Sequence, residues 1–168
     1  MTQYLLLDGY NIIGALGRYA TRSTGGLDES RDLLIGDALK AAGWIGRQPI
    51  VVFDAAGSAE AGRTELRAGG AVRVIYSAQG ESADDVIEQL IRRLDGPVTI
   101  CTADFALQRV ALAHGAARAT PREFEDLLDE LPAITRTPDI PFRARIVDQL
   151  SPETLQSLEE LRRRAEGY

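Results

Sequence analysis

Four short apolar runs punctuate the chain, at residues 4–7, 49–53, 72–76 and 97–102. Each is rich in Val, Ile, Leu or aromatic residues and is bounded by Gly, Pro, Asp or Ser. Near-continuous apolar runs of this length predict strands covered on both faces, not strands with one wet face. Between the runs the period lengthens to three or four residues. Residues 30–43 space Leu33, Leu34, Ala38, Leu39 and Ala42 in this way, and residues 83–94 space Val86, Ile87, Leu90, Ile91 and Leu94. Residues 105–114 and 121–131 carry two further helical patterns. Strand alternating with helix predicts an α/β fold built on a doubly wound parallel sheet with helices on both faces.

Ala119-Thr120 predicts a short fifth strand before the helix that Pro121 opens. Residues 131–141 hold Pro132, Pro138 and Pro141 and read as an extended arm. Ser151-Pro152 then offers an N-cap with proline at the first helical position. The helix it opens carries Leu155, Leu158 and Leu161 on one stripe. The expected organisation is a domain over residues 1–131, with residues 132–168 forming an arm and helix packed on it. Two segments read as mobile loops, 17–27 and 55–70, both rich in Gly, Ala, Ser or Thr.

Size and composition narrow the class. A chain of 168 residues, 45% hydrophobic and 26% charged, supports one ordinary globular core. No apolar run approaches the ~18 residues of a membrane span, and the run at 4–7 stops at Asp8, too short for a signal peptide. The single cysteine, Cys101, fits a reducing cytoplasm and reads as core filler. Trp44 also reads as packing. The net charge of −6 is unfavourable for binding nucleic acid. However, of the 19 basic residues only Lys40 is lysine. Arginine is the better fork for phosphate.

The positions of the acids carry the chemistry. Asp8 follows the first strand, Asp54 the second and Asp104 the fourth. In a parallel sheet the carboxyl ends of the strands share one edge, where ligands bind near the reversal of strand order. A fourth acid comes from a helix start. In Glu81-Ser82-Ala83-Asp84-Asp85, Ser82 reads as N-cap and Asp85 as its capping-box partner, leaving Asp84 free to tip toward that edge. Taken singly, each acid has a plainer explanation as a turn former or helix cap. Asn11 likewise reads as an N-cap, and His114 as a helix end before Gly115. Four such acids meeting at one edge are harder to explain by turns. Two carboxylates ~5 Å apart repel by roughly 3 kcal/mol at an effective dielectric of about 20. Several together call for protons or a cation. Oxygen ligands without His or Cys select Mg²⁺ or Mn²⁺, and the chemistry this supports is hydrolysis of a phosphodiester.

Leu7-Asp8-Gly9-Tyr10-Asn11-Ile12-Ile13-Gly14 resembles the opening motif of NYN nucleases, a branch of the PIN-like superfamily. Val51-Val52-Phe53-Asp54, Gly80-Glu81-Ser82-Ala83-Asp84-Asp85 and Thr102-Ala103-Asp104 follow in that family's order. So does Leu150-Ser151-Pro152-Glu153-Thr154 before a basic helix. The likeness is to the YacP-type subgroup, a ribosome-associated endoribonuclease family, and covers nearly the whole chain. It implies a three-layer PIN-like sheet of strand order 3-2-1-4-5 and Mg²⁺- or Mn²⁺-dependent cleavage of RNA, leaving 5′-phosphate and 3′-hydroxyl ends. It further implies mRNA in the ribosomal A site as substrate and the ribosome as partner. Asp8 and Asp84 match the family's essential acids, Asp54 and Asp104 its supporting acids, and Asn11 its motif asparagine.

On this reading Asp8, Asp84 and Asp104 hold the metal, and Asp54 holds a further water or a second ion. Asn11 orients Asp8 or meets phosphate, and Thr102 or Ser82 supports a ligand carboxylate. Arg18 and Arg22 in the first loop, and Arg63 and Arg67 in the second, would grip RNA, with Arg143, Arg145 and Arg162–Arg164 as a further basic face. A receiver domain would need a lysine after the fifth strand, and a phosphatase with an aspartate nucleophile a second acid where Tyr10 stands. The alternative of another class is a non-catalytic ribosome- or RNA-binding module on the same fold.

Overall fold

The computed structural model describes residues 1–20 and 26–131. The arm and helix expected beyond residue 131 lie outside them, as do Arg22, Arg143, Arg145 and Arg162–Arg164. Chain order runs β1 (Tyr4–Asp8), α1 (Gly9–Ala15), α2 (Gly26–Trp44), β2 (Gln48–Phe53), β3 (Thr64–Arg67), β4 (Val72–Tyr76), α3 (Ala83–Arg93), β5 (Val98–Cys101), α4 (Phe105–Ala113), β6 (Ala117–Ala119) and α5 (Pro121–Glu130). Short 3-10 turns at Gly17–Tyr19 and Ala68–Gly70 complete it.

The sheet order is β3-β4-β2-β1-β5-β6. Its five parallel strands stand in the expected order, with β1 central between β2 and β5. The sixth strand corrects the reading of residues 55–70 as a mobile loop. Thr64–Arg67 pairs antiparallel with β4 at the sheet edge, reached through a turn in which Gly69 and Gly70 take positive φ. Four residues alternating Thr-Glu-Leu-Arg are too few for a period-two signal to stand out. The expected loop at 17–27 is also shortened at both ends, by the turn at Gly17–Tyr19 and by α2, which begins at Gly26 rather than near Ser30.

The continuous apolar runs are explained by two cores, one on each face. Leu5, Leu7, Val51, Phe53, Val74 and Cys101 pack under α1, α2 and α5. Leu6, Ile50, Val52 and Ile100 pack under α3 and α4. Successive strand residues therefore both meet apolar surface, as in parallel sheets generally. Ala38, Ala41 and Ala42 let α2 approach closely, and all three are fully buried. Trp44 departs from its expected packing role. It is the last residue of α2, past that buried stripe, and is 60% exposed. Cys101 is buried as expected. Capping boxes open α3 (Ser82 with Asp85) and α5 (Thr120 with Glu123, after which Pro121 begins the helix). Among the described residues no helix is long and apolar enough to cross a membrane.

The tightest junction is β1 to α1, which follows with no intervening loop. A Cβ on Gly9 would lie 2.3 Å from Phe53 Cε1 and 2.9 Å from the Val52 carbonyl oxygen, so the side-chain-free residue is what lets α1 start on the strand end. Gly9→Ala should therefore cost about 1–3 kcal/mol by overpacking. Gly14→Ala, on the open side of the same helix with nothing within 4 Å, should be neutral or slightly stabilising. Urea unfolding of the two variants checks the contrast.

Candidate active site

The site assembles at the carboxyl edge of the parallel strands, where β1 separates β2 from β5. Asp8 ends β1 and is only 7% exposed. Its carboxylate accepts a 2.9 Å hydrogen bond from Thr102 Oγ1, and the backbone N–H of Asn11, in the first turn of α1, also favours its charged form. Burial nevertheless pushes the Asp8 carboxyl up to about 6; the charges of Asp84 and Asp104 add to the rise, and the two hydrogen bonds oppose it.

Thr102 is the joint of the site. Fully buried just after β5, it donates to Asp8 while its Oγ1 accepts from the Asp104 amide at 3.1 Å. Its carbonyl accepts from Gln108 Nε2 at 2.6 Å. The β5–α4 turn is thus tied to the end of β1 through one hydroxyl. Asn11 adds a second tie, its Oδ1 accepting from the Ala103 amide at 2.7 Å. This corrects the plain N-cap reading, because α1 begins earlier, at Gly9, with Asp8 in the cap position.

Asp84 stands in the first turn of α3. Its carboxyl is raised, first by partial burial and then by the charges of Asp104, Asp85, Glu88 and Asp54. Asp104 caps α4 by accepting from the Leu107 amide at 2.9 Å. Asp54 Oδ1 accepts from the Ala56 amide at 3.1 Å. Asp85 is turned back on Ser82, whose backbone and hydroxyl bonds hold its carboxyl below the usual range. The charges of Asp84 and Asp104 thus reach Asp8, and those of Asp104 and Asp54 reach Asp84, while Asp85 serves the cap. Ser82 serves Asp85, so the supporting hydroxyl for Asp8 is Thr102.

Among the described residues, the arginines expected to grip RNA each meet acids of this chain. Arg18 pairs with Asp37 and Asp129, and Arg63 with Glu65 at 2.6 Å. Arg67 pairs with Asp32 at 2.8 Å and sits opposite Val72, at the amino end of β4, away from the acids.

Two features were not read from the sequence. Gln108 lies on the core-facing side of α4 beside Leu107 and Ala111, and a polar residue in that stripe was the available signal. Arg31 of α2 lies over the rings of Tyr10, Phe53 and Tyr76, 5.4–5.7 Å from each centroid. It donates to the Tyr10 hydroxyl and pairs with Glu60 at 3.1 Å. This cation–π stack binds the ends of β2 and β4 to α1 and to the segment after Asp54. No spacing rule links residues so far apart in the chain.

The donor set suits a hard divalent cation. The facing groups are carboxylates, and one is nearly sealed from water with like charges beside it. Among the described residues no three His, Cys, Asp or Glu side chains stand ready-gathered around one ion position. The expected set of Asp8, Asp84 and Asp104 is therefore not gathered around a single ion position as the side chains stand.

The family model described as YacP-like NYN domain matches residues 5–163. The protein called "Uncharacterized protein YacP" of Bacillus subtilis is 33% identical over 170 aligned residues, covering 95% of this chain and 96% of that one. The crystal structure of Rae1 (YacP) from Bacillus subtilis superposes with a TM-score of 0.63 at 30% identity, over 95% of this chain and 94% of that one. Its tryptophan-to-leucine variant superposes at 0.65 and 27%, over 96% and 99%.

The Asp8 shift makes a stability prediction. The folded carboxyl titrates near 6, above its unfolded value of 3.8, so the folded state holds the proton more tightly. Stability is then lost as pH rises from about 4 to about 6, by on the order of 3 kcal/mol. Asp8→Asn should remove that loss. In urea unfolding with EDTA present, the variant should gain on the parent chain between pH 4 and pH 7.

Proposed function

This chain belongs to the YacP-like NYN domain family, a PIN-like nuclease family, and on that premise we propose that it is a divalent-metal-dependent endoribonuclease acting on mRNA in the ribosomal A site. The observation that carries the catalytic part is the Asp8 carboxylate, sealed beside like charges at the strand-reversal edge. A fold alone would gain stability by replacing it.

Asp8, Asp84 and Asp104 are the residues that would hold Mg²⁺ or Mn²⁺, which when bound lowers the pKa of a coordinated water and offsets charge on the scissile phosphate. Thr102 fixes the Asp8 carboxylate in orientation, and Asn11 fixes the turn that carries Asp104. Asp84 faces them from the first turn of α3. Asp54, tethered to the Ala56 amide, can hold a water or a second ion from the β2 side. Burial keeps competing solvent off Asp8, so its charge is available for a cation and for little else. The ribosomal part rests on the motif order shared with the YacP-type subgroup. That order runs from Asp8-Gly9-Tyr10-Asn11 to Ser151-Pro152-Glu153-Thr154.

Asp8→Asn and Asp84→Asn should each lower Mn²⁺-dependent RNA cleavage by at least about a hundredfold, with the folded state retained. Asp85→Ala should retain most activity and lose a little stability through its cap. Unchanged cleavage in Asp8→Asn would overturn the catalytic assignment. Co-sedimentation with ribosomes at low and high salt checks the partner; protein that stays free in both counts against it.

A further inference from the structure

The acid cluster repels the polyanion that a ribonuclease must hold, and Arg18, Arg63 and Arg67 are already paired with this chain's own acids. Grip on the substrate therefore calls for another surface that reaches the same edge. One such surface starts a single residue past Asp104.

Phe105 opens α4 and is 71% exposed. Arg109 and Leu112 follow at four and seven residues and share its flank; Arg109 is exposed and Leu112 is 52% exposed. Leu107, Gln108 and Ala111 turn the helix onto the sheet. His114, hydrogen-bonded to Arg92 of α3, marks the flank facing that helix. The Phe105 flank is the opposite one, toward edge strand β6. On β6, Arg118 stands beside Ile100, whose side chain belongs to the core under α3 and α4, so Arg118 projects from the same face of the sheet as α4. Among the described residues neither Arg109 nor Arg118 makes an ion pair or a side-chain hydrogen bond; Arg118 senses Glu123 only at longer range.

Scattered exposed apolar residues are ordinary on a protein surface. Here an exposed phenylalanine adjoins the acids and leads to two free guanidinium groups along one flank. That is the composition of a single-strand track, in which a ring stacks a base and cations follow the phosphates.

We propose that Phe105 stacks a nucleobase of single-stranded RNA at the edge of the acid cluster, with Arg109 and Arg118 holding the phosphates that run from it along the α4–β6 flank. This rests on the ribonuclease reading above. Phe105 is thereby a substrate-binding residue whose loss acts on KM more than on kcat.

The test is fluorescence anisotropy of a short labelled single-stranded RNA on the full chain in EDTA at low salt, with cleavage kinetics in Mn²⁺ alongside. Phe105→Ala and Phe105→Leu should each weaken binding roughly tenfold and raise KM with kcat nearly unchanged, while Phe105→Trp restores both. Arg109→Gln should reduce the slope of log affinity against log salt by about 0.7, the value for one phosphate on a single strand. Full binding by Phe105→Ala, or rescue by leucine as well as by tryptophan, overturns the stacking assignment while leaving the nuclease intact. A parent chain that neither binds nor cuts RNA overturns both.

Discussion

Asp8 is a carboxylate held almost out of water at the end of the central strand, and the hydroxyl of Thr102 is what makes that position tolerable. The bond closes the gap between β1 and the turn after β5, two segments that neighbour in space and lie 94 residues apart in the chain. One oxygen donates to Asp8 and accepts from the Asp104 amide. The hydroxyl therefore sets the spacing between two acids that repel each other. Gln108 holds the Thr102 carbonyl from the buried side of α4, and Asn11 holds the adjoining amide. A carboxylate so placed still titrates near 6, because the two hydrogen bonds do not offset its burial and its neighbours' charge. The structure carries this unfavourable energy at the one edge where strand order reverses.

The rest of the fold serves that edge. Both sheet faces are packed, so the strands cannot slide without exposing a core, and the carboxyl ends stay level. Gly9 lets α1 begin directly on β1 above the Phe53 ring. Arg31 clamps Tyr10, Phe53 and Tyr76 from the α2 side and reaches Glu60 in the segment that follows Asp54. The acids are thereby mounted on rigid strand ends and helix starts rather than on free loops.

Charge is distributed to match. The chain is acidic overall, yet much of its arginine is paired internally, as Arg18, Arg31, Arg63 and Arg67 show. Among the described residues the acids at the strand edge pair with no arginine or lysine, unlike the acids that hold Arg18, Arg31, Arg63 and Arg67. The flank beginning at Phe105 is different in kind, apolar and cationic together.

Fold class was legible in the sequence because near-continuous apolar runs of about five residues, alternating with three-to-four-residue periods, are local patterns; the order of the parallel strands came from the family resemblance, since periodicity does not say which strands are neighbours. The candidate acids were legible for a related reason: an Asp directly after a strand inherits its location from topology, so Asp8, Asp54 and Asp104 reach one edge without knowledge of any contact. The Ser82–Asp85 cap was equally local. Tertiary structure alone decided which hydroxyl supports Asp8, where Arg63 and Arg67 point, that Thr64–Arg67 adds an edge strand, and that Trp44 faces solvent. Each of these depends on a partner tens of residues away, or on where a buried stripe ends. Periodicity along a chain records which face a residue turns inward, but a hydrogen bond or ion pair is chosen by distance in space.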